Sequence, residues 1–234
     1  MSGAAEPRTA PPAAPAPAAV EQRLLVNEIF YSLQGESTLA GRPCVLVRLT
    51  GCQMRCSWCD TEYAFYEGEW KTLAEVVAEV EAFACPLVEL TGGEPLLQPA
   101  SLPLLAALAD RGYEVLLETG GGVDIAAVDP RVRRIVDVKC PGSGEATANR
   151  WQNLDLLTPR DEVKFVIADQ GDYLWAREVV RERRLAAVCP VHFSPVWGAC
   201  DPAQLADWIL RDRLPVRLQL QLHKLLWPQR SRGV

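Results

Sequence analysis

No run of apolar residues in this chain approaches the ~20 needed to cross a bilayer, which excludes a helical membrane protein. Basic charge is in short supply too: 24 Lys and Arg stand against 30 Asp and Glu, a formal net charge of -6. An acidic surface argues against a protein that grips duplex nucleic acid, where phosphate neutralisation supplies most of the affinity. The opening stretch, Met1 to Val20, has neither the basic n-region nor the apolar h-region of a secretory signal. The expectation is a cytoplasmic chain with no membrane and no nucleic acid among its partners. Disulfides are rare in that compartment. Eight cysteines nevertheless occur, so metal or redox chemistry is their first use to test.

The 234 residues are 49% apolar and 23% charged, enough to bury one ordinary core without disulfide staples. Residues 1–22 are Ala/Pro-rich with almost nothing to bury, and are expected to form a disordered tail ahead of one domain over 23–234. There is no internal repeat and no second linker. Short apolar runs at Val45–Leu49, Pro86–Leu90, Tyr113–Leu117, Arg134–Val138, Val163–Ile167 and Ala187–Phe193 read as strands. Between them, Thr72 opens a helix with a capping box through Glu75, and Pro103–Asp110, Tyr173–Arg184 and Pro202–Arg211 read as further helices. Val216–Leu222 alternates cleanly, with Val216, Leu218, Leu220 and Leu222 on one face and Arg217, Gln219 and Gln221 on the other. Repeated β–α units predict a mostly parallel sheet of the α/β class. The chemically unusual segments all follow a predicted strand, as the loops at the mouth of a TIM-like β/α barrel would.

Cys52, Cys56 and Cys59 form a C-x3-C-x2-C run in the loop GCQMRCSWCD. A structural zinc site needs four ligands, usually as two paired knuckles, and no second C-x2-C pair exists here. Three thiolates can instead hold three irons of a [4Fe–4S] cube and leave the fourth open. The other cysteines read as small buried hydrophobes.

That spacing, with Trp58 before the last Cys and Gly92-Gly93-Glu94-Pro95 after the next strand, resembles the radical S-adenosylmethionine superfamily. The resemblance narrows through Glu28–Glu36 (EIFYSLQGE), Gly41-Arg42-Pro43, Val47-Arg48-Leu49, Cys59-Asp60-Thr61, Asp137-Val138-Lys139, Ser194-Pro195-Val196-Trp197 and Gln221–Lys224. Together these strings are similar to the 7-carboxy-7-deazaguanine synthase family. The resemblance implies an incomplete β/α barrel and a homodimer supplied with electrons by a donor such as flavodoxin. It implies rearrangement of 6-carboxy-5,6,7,8-tetrahydropterin to 7-carboxy-7-deazaguanine with loss of ammonia, on the route to queuosine. The cofactors implied are the [4Fe–4S] cluster, S-adenosylmethionine, whose cleavage gives a 5′-deoxyadenosyl radical, and Mg²⁺.

By the same resemblance Cys52, Cys56 and Cys59 ligate iron and Thr61 helps hold Mg²⁺. Trp58, Cys59, Asp60, Gly93, Asp137, Val138, Lys139, Ser194, Pro195, Val196 and Trp197 form the S-adenosylmethionine pocket. Leu33, Gln34, Gly35 and Thr91 hold the pterin, and Arg48 pairs with its carboxylate. The residues alone leave Arg48 open to a reading as a surface arginine, Thr61 as a turn residue and His223 as a structural histidine. Two rivals remain at this point, a glycyl-radical activating enzyme and a zinc-stabilised binding module. In the last strand, the leucine face is expected to pack under the helices, with Gln221 nearest the ligand.

Overall fold

The structure is a computed structural model that describes residues 22–230 and 232–234. The expected Ala/Pro tail lies outside the described residues but for Gln22. Nine strands form one sheet in the order β3-β1-β2-β4-β5-β6-β7-β8-β9, where β1 is Arg23–Leu33, β2 Pro43–Leu49, β3 Glu69–Thr72, β4 Leu87–Gly92 and β5 Glu114–Thr119. The series continues with β6 Arg133–Asp137, β7 Glu162–Ile167, β8 Val191–Pro195 and β9 Arg217–Leu218. From β2 to β9 every pairing is parallel, while β1 joins β2 and β3 antiparallel. Because β3 and β9 end the sheet without meeting, the barrel is open.

Helices α1 (Leu73–Ala82), α2 (Ser101–Asp110), α3 (Gln170–Glu182) and α4 (Pro202–Arg211) carry four of the six parallel crossovers, and loop and 3-10 turns carry those from β5 to β6 and β6 to β7. Thr72 and Glu75 form the expected capping box at α1. The helices bury Val76, Val80, Leu104, Leu108, Tyr173 and Leu205, while outward strand residues such as Val47, Leu90, Leu117, Phe165 and Phe193 are at most marginally exposed. The principal core is therefore the layer between the sheet and its helices.

The other face of the sheet is polar. Strand alternation and register place Arg48, Glu89, Thr91, Glu118, Asp137, Glu162, Lys164, His192 and Ser194 on the concave side. In a closed barrel that volume is filled by branched apolar side chains; here part of it is occupied by the β1–β2 loop. Ser37 O accepts from Gln219 Nε2 at 3.3 Å, and Gly35 O accepts from Leu222 N at 3.0 Å.

Three sequence expectations change. β1 and β3 are absent from the expected alternating units, because they extend the sheet antiparallel beyond β2 rather than as β–α repeats. The strand expected at Ala187–Phe193 begins only at Val191, after a 3-10 turn at Leu185–Ala187 and Pro190, which has no N–H to pair. The strand expected at Val216–Leu222 keeps only Arg217–Leu218, then leaves the sheet for the β1–β2 loop and enters α5, Leu222–Leu226. Its apolar face points to the helix side as expected but is only partly covered, since Val216 packs against the core while Leu218 is 39% exposed. Gln219 is buried against Ser37, and Gln221 lines the cavity as expected.

Candidate active site

A cavity of about 430 Å³ opens at the carboxyl ends of the strands. It collects Leu33, Gln34, Gly35, Arg48, Thr91, Cys52, Cys56, Trp58, Cys59, Asp60, Thr61, Gly93, Asp137, Lys139, Val196 and Trp197. Of the residues singled out from the sequence, Val138, Ser194 and Pro195 do not line it and are buried.

The cysteine loop follows β2. Its three thiols are half-buried, whereas Cys44, Cys85, Cys140, Cys189 and Cys200 are buried in the body of the fold. Burial pushes the Cys189 thiol up to about 12, as expected of a packing cysteine. Burial also raises Cys56, against the pull of the nearby Lys139 ammonium. Lys139 is itself held charged, despite its burial, by Asp137 at 2.8 Å. Among the described residues no three His, Cys, Asp or Glu side chains gather around a single ion. Ligating three different irons of one cube does not require that convergence.

Why Gly-Gly stands at the end of β4 is explained by neighbouring backbone. A Cβ on Gly92 would lie 2.4 Å from Leu49 O, and one on Gly93 would lie 2.2 Å from Gly51 O. Gly92 also has φ +146, outside the range L residues favour. The two glycines let β4 close onto the chain entering the cysteine loop, where Glu94 N donates to Gly51 O at 2.8 Å. Glu94 stays out of the cavity. Its carboxylate accepts from Thr119 Oγ1, Gly120 N and Leu96 N at 2.8–3.0 Å and ties the loops after β4 and β5 together. Gly93→Ala is expected to displace Gly51 and Cys52, so that the protein folds but retains less than half of the wild-type iron after reconstitution. Iron analysis and the visible absorbance check this, and wild-type iron content would contradict it.

Arg48 is fixed on three sides. Its Nε donates to Glu28 Oε1 at 2.8 Å, and its guanidinium carbon lies 5.7 Å from the Phe30 ring centroid and 5.9 Å from that of Tyr63. Tyr63 OH donates to the same Glu28 oxygen at 2.9 Å. Among the described residues no partner holds the two terminal nitrogens, which leaves the end of the fork for a carboxylate.

Sequence reasoning missed the charged floor of the cavity. Lys164 lies between Glu36, at 2.8 Å, and Glu118, with Asp137 at 3.9 Å. Burial alone would raise Glu118, but Lys164 holds it below the ordinary carboxylate range. Glu89 goes the opposite way: burial, then the nearby Glu118 and Glu36, raise it well above that range. The signal was present as charges amid apolar strand residues, Glu89 in LVELTG and Glu162 and Lys164 in EVKFVI. His223 packs on Gly35, where a Cβ would meet Nδ1 at 2.5 Å, and Lys224 pairs with Asp60 at 2.6 Å.

The sequence signature of the radical SAM superfamily spans residues 46–186. A 7-carboxy-7-deazaguanine synthase of Chlorobaculum tepidum is 49% identical over 217 residues, covering 92% of this chain and 99% of that protein. The chain belongs to the 7-carboxy-7-deazaguanine synthase family of radical SAM enzymes. A family member from Koribacter versatilis is also 49% identical, over 89% of this chain and 99% of that protein. The crystal structure of QueE from Escherichia coli superposes with a TM-score of 0.70 over 86% of this chain and 95% of that one. At 23% identity this is a likeness of fold. Membership in the synthase family sets aside the zinc-stabilised module and the glycyl-radical activating enzyme. It implies a [4Fe–4S] cluster and S-adenosylmethionine, and the chain's residues fit both. Three accessible thiols share one loop at the cavity. Asp137, which lines the cavity, has a buried Oδ1 with no protein partner among the described residues. No helix among those residues is long and apolar enough to cross a membrane.

Proposed function

We propose that this chain converts 6-carboxy-5,6,7,8-tetrahydropterin to 7-carboxy-7-deazaguanine with loss of ammonia, serving 7-deazapurine (queuosine) synthesis in the cytoplasm. The observation that carries the reading is the 49% identity to a named synthase along essentially its whole length. Cys52, Cys56 and Cys59 would hold three irons of the cluster, leaving one for S-adenosylmethionine. When bound, cluster and S-adenosylmethionine supply one-electron cleavage and hence hydrogen abstraction; the protein supplies position and charge. Trp58, Cys59, Asp60, Gly93, Asp137, Lys139, Val196 and Trp197 would surround S-adenosylmethionine, with Val138, Ser194 and Pro195 buried beside them in the chain. Leu33, Gln34, Gly35 and Thr91 would hold the pterin. Arg48 takes its carboxylate through the open end of the guanidinium fork. Glu89, whose carboxyl burial pushes up, and the paired Glu118–Lys164–Glu36 set line the floor of the cavity that would take the pterin. Thr61 offers a hydroxyl to Mg²⁺, a hard cation that keeps several waters. A flavodoxin-type reductant and a homodimer complete the proposal.

The test is anaerobic reconstitution with iron and sulfide, followed by assay with the carboxytetrahydropterin. Formation of 7-carboxy-7-deazaguanine, identified by mass, is expected. Cluster-loaded enzyme that cleaves S-adenosylmethionine but leaves the pterin untouched would overturn the reading. Arg48→Lys retains charge but not the fork, so KM for the pterin acid should rise by about tenfold or more, as expected for losing a charge-assisted hydrogen bond. Steady-state kinetics decides, and an unchanged KM removes Arg48 from the carboxylate site.

A further inference from the structure

One layer beneath the floor lies a second polar cluster that none of these roles uses. Glu162 opens β7 two residues before Lys164 and is completely buried. Its Oε2 accepts from Thr38 N at 2.9 Å and pairs with His192 Nε2 at 2.6 Å. Its Oε1 accepts from Thr38 Oγ1 at 2.5 Å and Arg133 at 3.1 Å. Burial alone would raise Glu162, yet these bonds hold it at about 2. As an ionised carboxylate it can only accept, so His192 must carry its proton on Nε2.

Thr38 sits at the tip of the β1–β2 loop, whose preceding residues Gln34, Gly35 and Glu36 line the cavity. Between them Ser37 takes a left-handed backbone, φ 63, which a non-glycine residue adopts only when its surroundings enforce it. We propose that Glu162, braced by Arg133 and His192, is a positioning residue that clamps Thr38 and so sets the substrate-binding backbone of Gln34 and Gly35. Nothing in the clamp touches the cavity. It acts only through the loop, while the cysteine loop is held separately by the end of β4. Substrate affinity should therefore depend on the clamp and S-adenosylmethionine affinity should not. This rests on the functional reading above for the identity of the substrate.

Thr38→Val removes the hydroxyl, which donates to Glu162 and accepts from Arg133 at 3.0 Å, and leaves the backbone bond. In reconstituted enzyme, KM for the carboxytetrahydropterin should rise about tenfold or more with kcat within about twofold, the scale of losing charge-assisted hydrogen bonds. S-adenosylmethionine affinity and iron content should not change, and Thr38→Ser should restore KM. In the protein without pterin, amide exchange across residues 34–40 should accelerate in both Thr38→Val and Glu162→Gln while β7 remains protected. An unchanged KM together with unchanged exchange overturns the clamp. So does a parallel loss of pterin and S-adenosylmethionine affinity, which would make the cluster general scaffolding. If wild-type enzyme does not turn over the pterin, the functional reading fails, and the exchange result alone decides the clamp.

Discussion

Cys56→Ala should lose most of its iron and all turnover, and Cys52→Ala and Cys59→Ala should behave alike. The expectation rests on where the other five cysteines lie. Cys44, Cys85, Cys140, Cys189 and Cys200 are buried in the fold, so none can swing in as a substitute ligand. The C-x3-C-x2-C loop supplies one thiolate per iron, and losing one leaves two irons of the cube without protein support. Cys189→Ala, by contrast, trims a packing side chain and should leave iron content intact. Iron and sulfide analysis after anaerobic reconstitution, with the visible absorbance, reads both results. Cluster retained in Cys56→Ala and lost in Cys189→Ala would invert the ligand assignment.

Lys164→Met should be the most destabilising substitution on the concave face. The ammonium side chain is 8% exposed and serves Glu36 and Glu118 directly, with Asp137 close by. Methionine fills the volume but leaves the carboxylates uncompensated. Breaking a buried pair in this way costs about 3–5 kcal/mol, and each kcal/mol lowers Tm by roughly 2–4 °C in a chain of this size. The pH dependence has a definite sign. Lys164 depresses Glu118 in the folded state, so the stability it lends is present above the ordinary carboxylate range and fades as pH falls through the depressed value. The gap between wild type and Lys164→Met should be wide at pH 7 and narrow at pH 3. Thermal unfolding at both values measures it. Equal melting temperatures at pH 7 would show that the floor charges are solvated rather than paired.

The parallel half of the fold was legible because its strands are short apolar runs and its helices carry local signals, Thr72 with Glu75 above all. The cysteine loop was legible because thiol spacing is a local property. Glu89 and Lys164 were not, since a single charge in an apolar strand reveals its role only when register shows which face encloses the cavity. β1 escaped for a related reason: its partners β2 and β3 are antiparallel, and the reading sought β–α repeats. The alternation of Val216–Leu222 was real but misjudged. Periodicity describes what a strand could bury, whereas here the β1–β2 loop takes the chain away from the sheet after Leu218.

The division of the sheet into an apolar convex face and a charged concave one bears on how such an enzyme could change its chemistry. Most of its folding free energy resides in contacts that no ligand sees, so inward residues can be exchanged without dismantling the scaffold. The constraint on those exchanges is charge pairing. Arg48 answers Glu28, Lys139 answers Asp137, and Lys164 answers Glu36 and Glu118. A lone substitution strands its partner in a poorly hydrated interior, whereas replacing both members together does not. Routes from this scaffold to new substrates should therefore run through coupled replacements, with single mutants along the way less fit than either end.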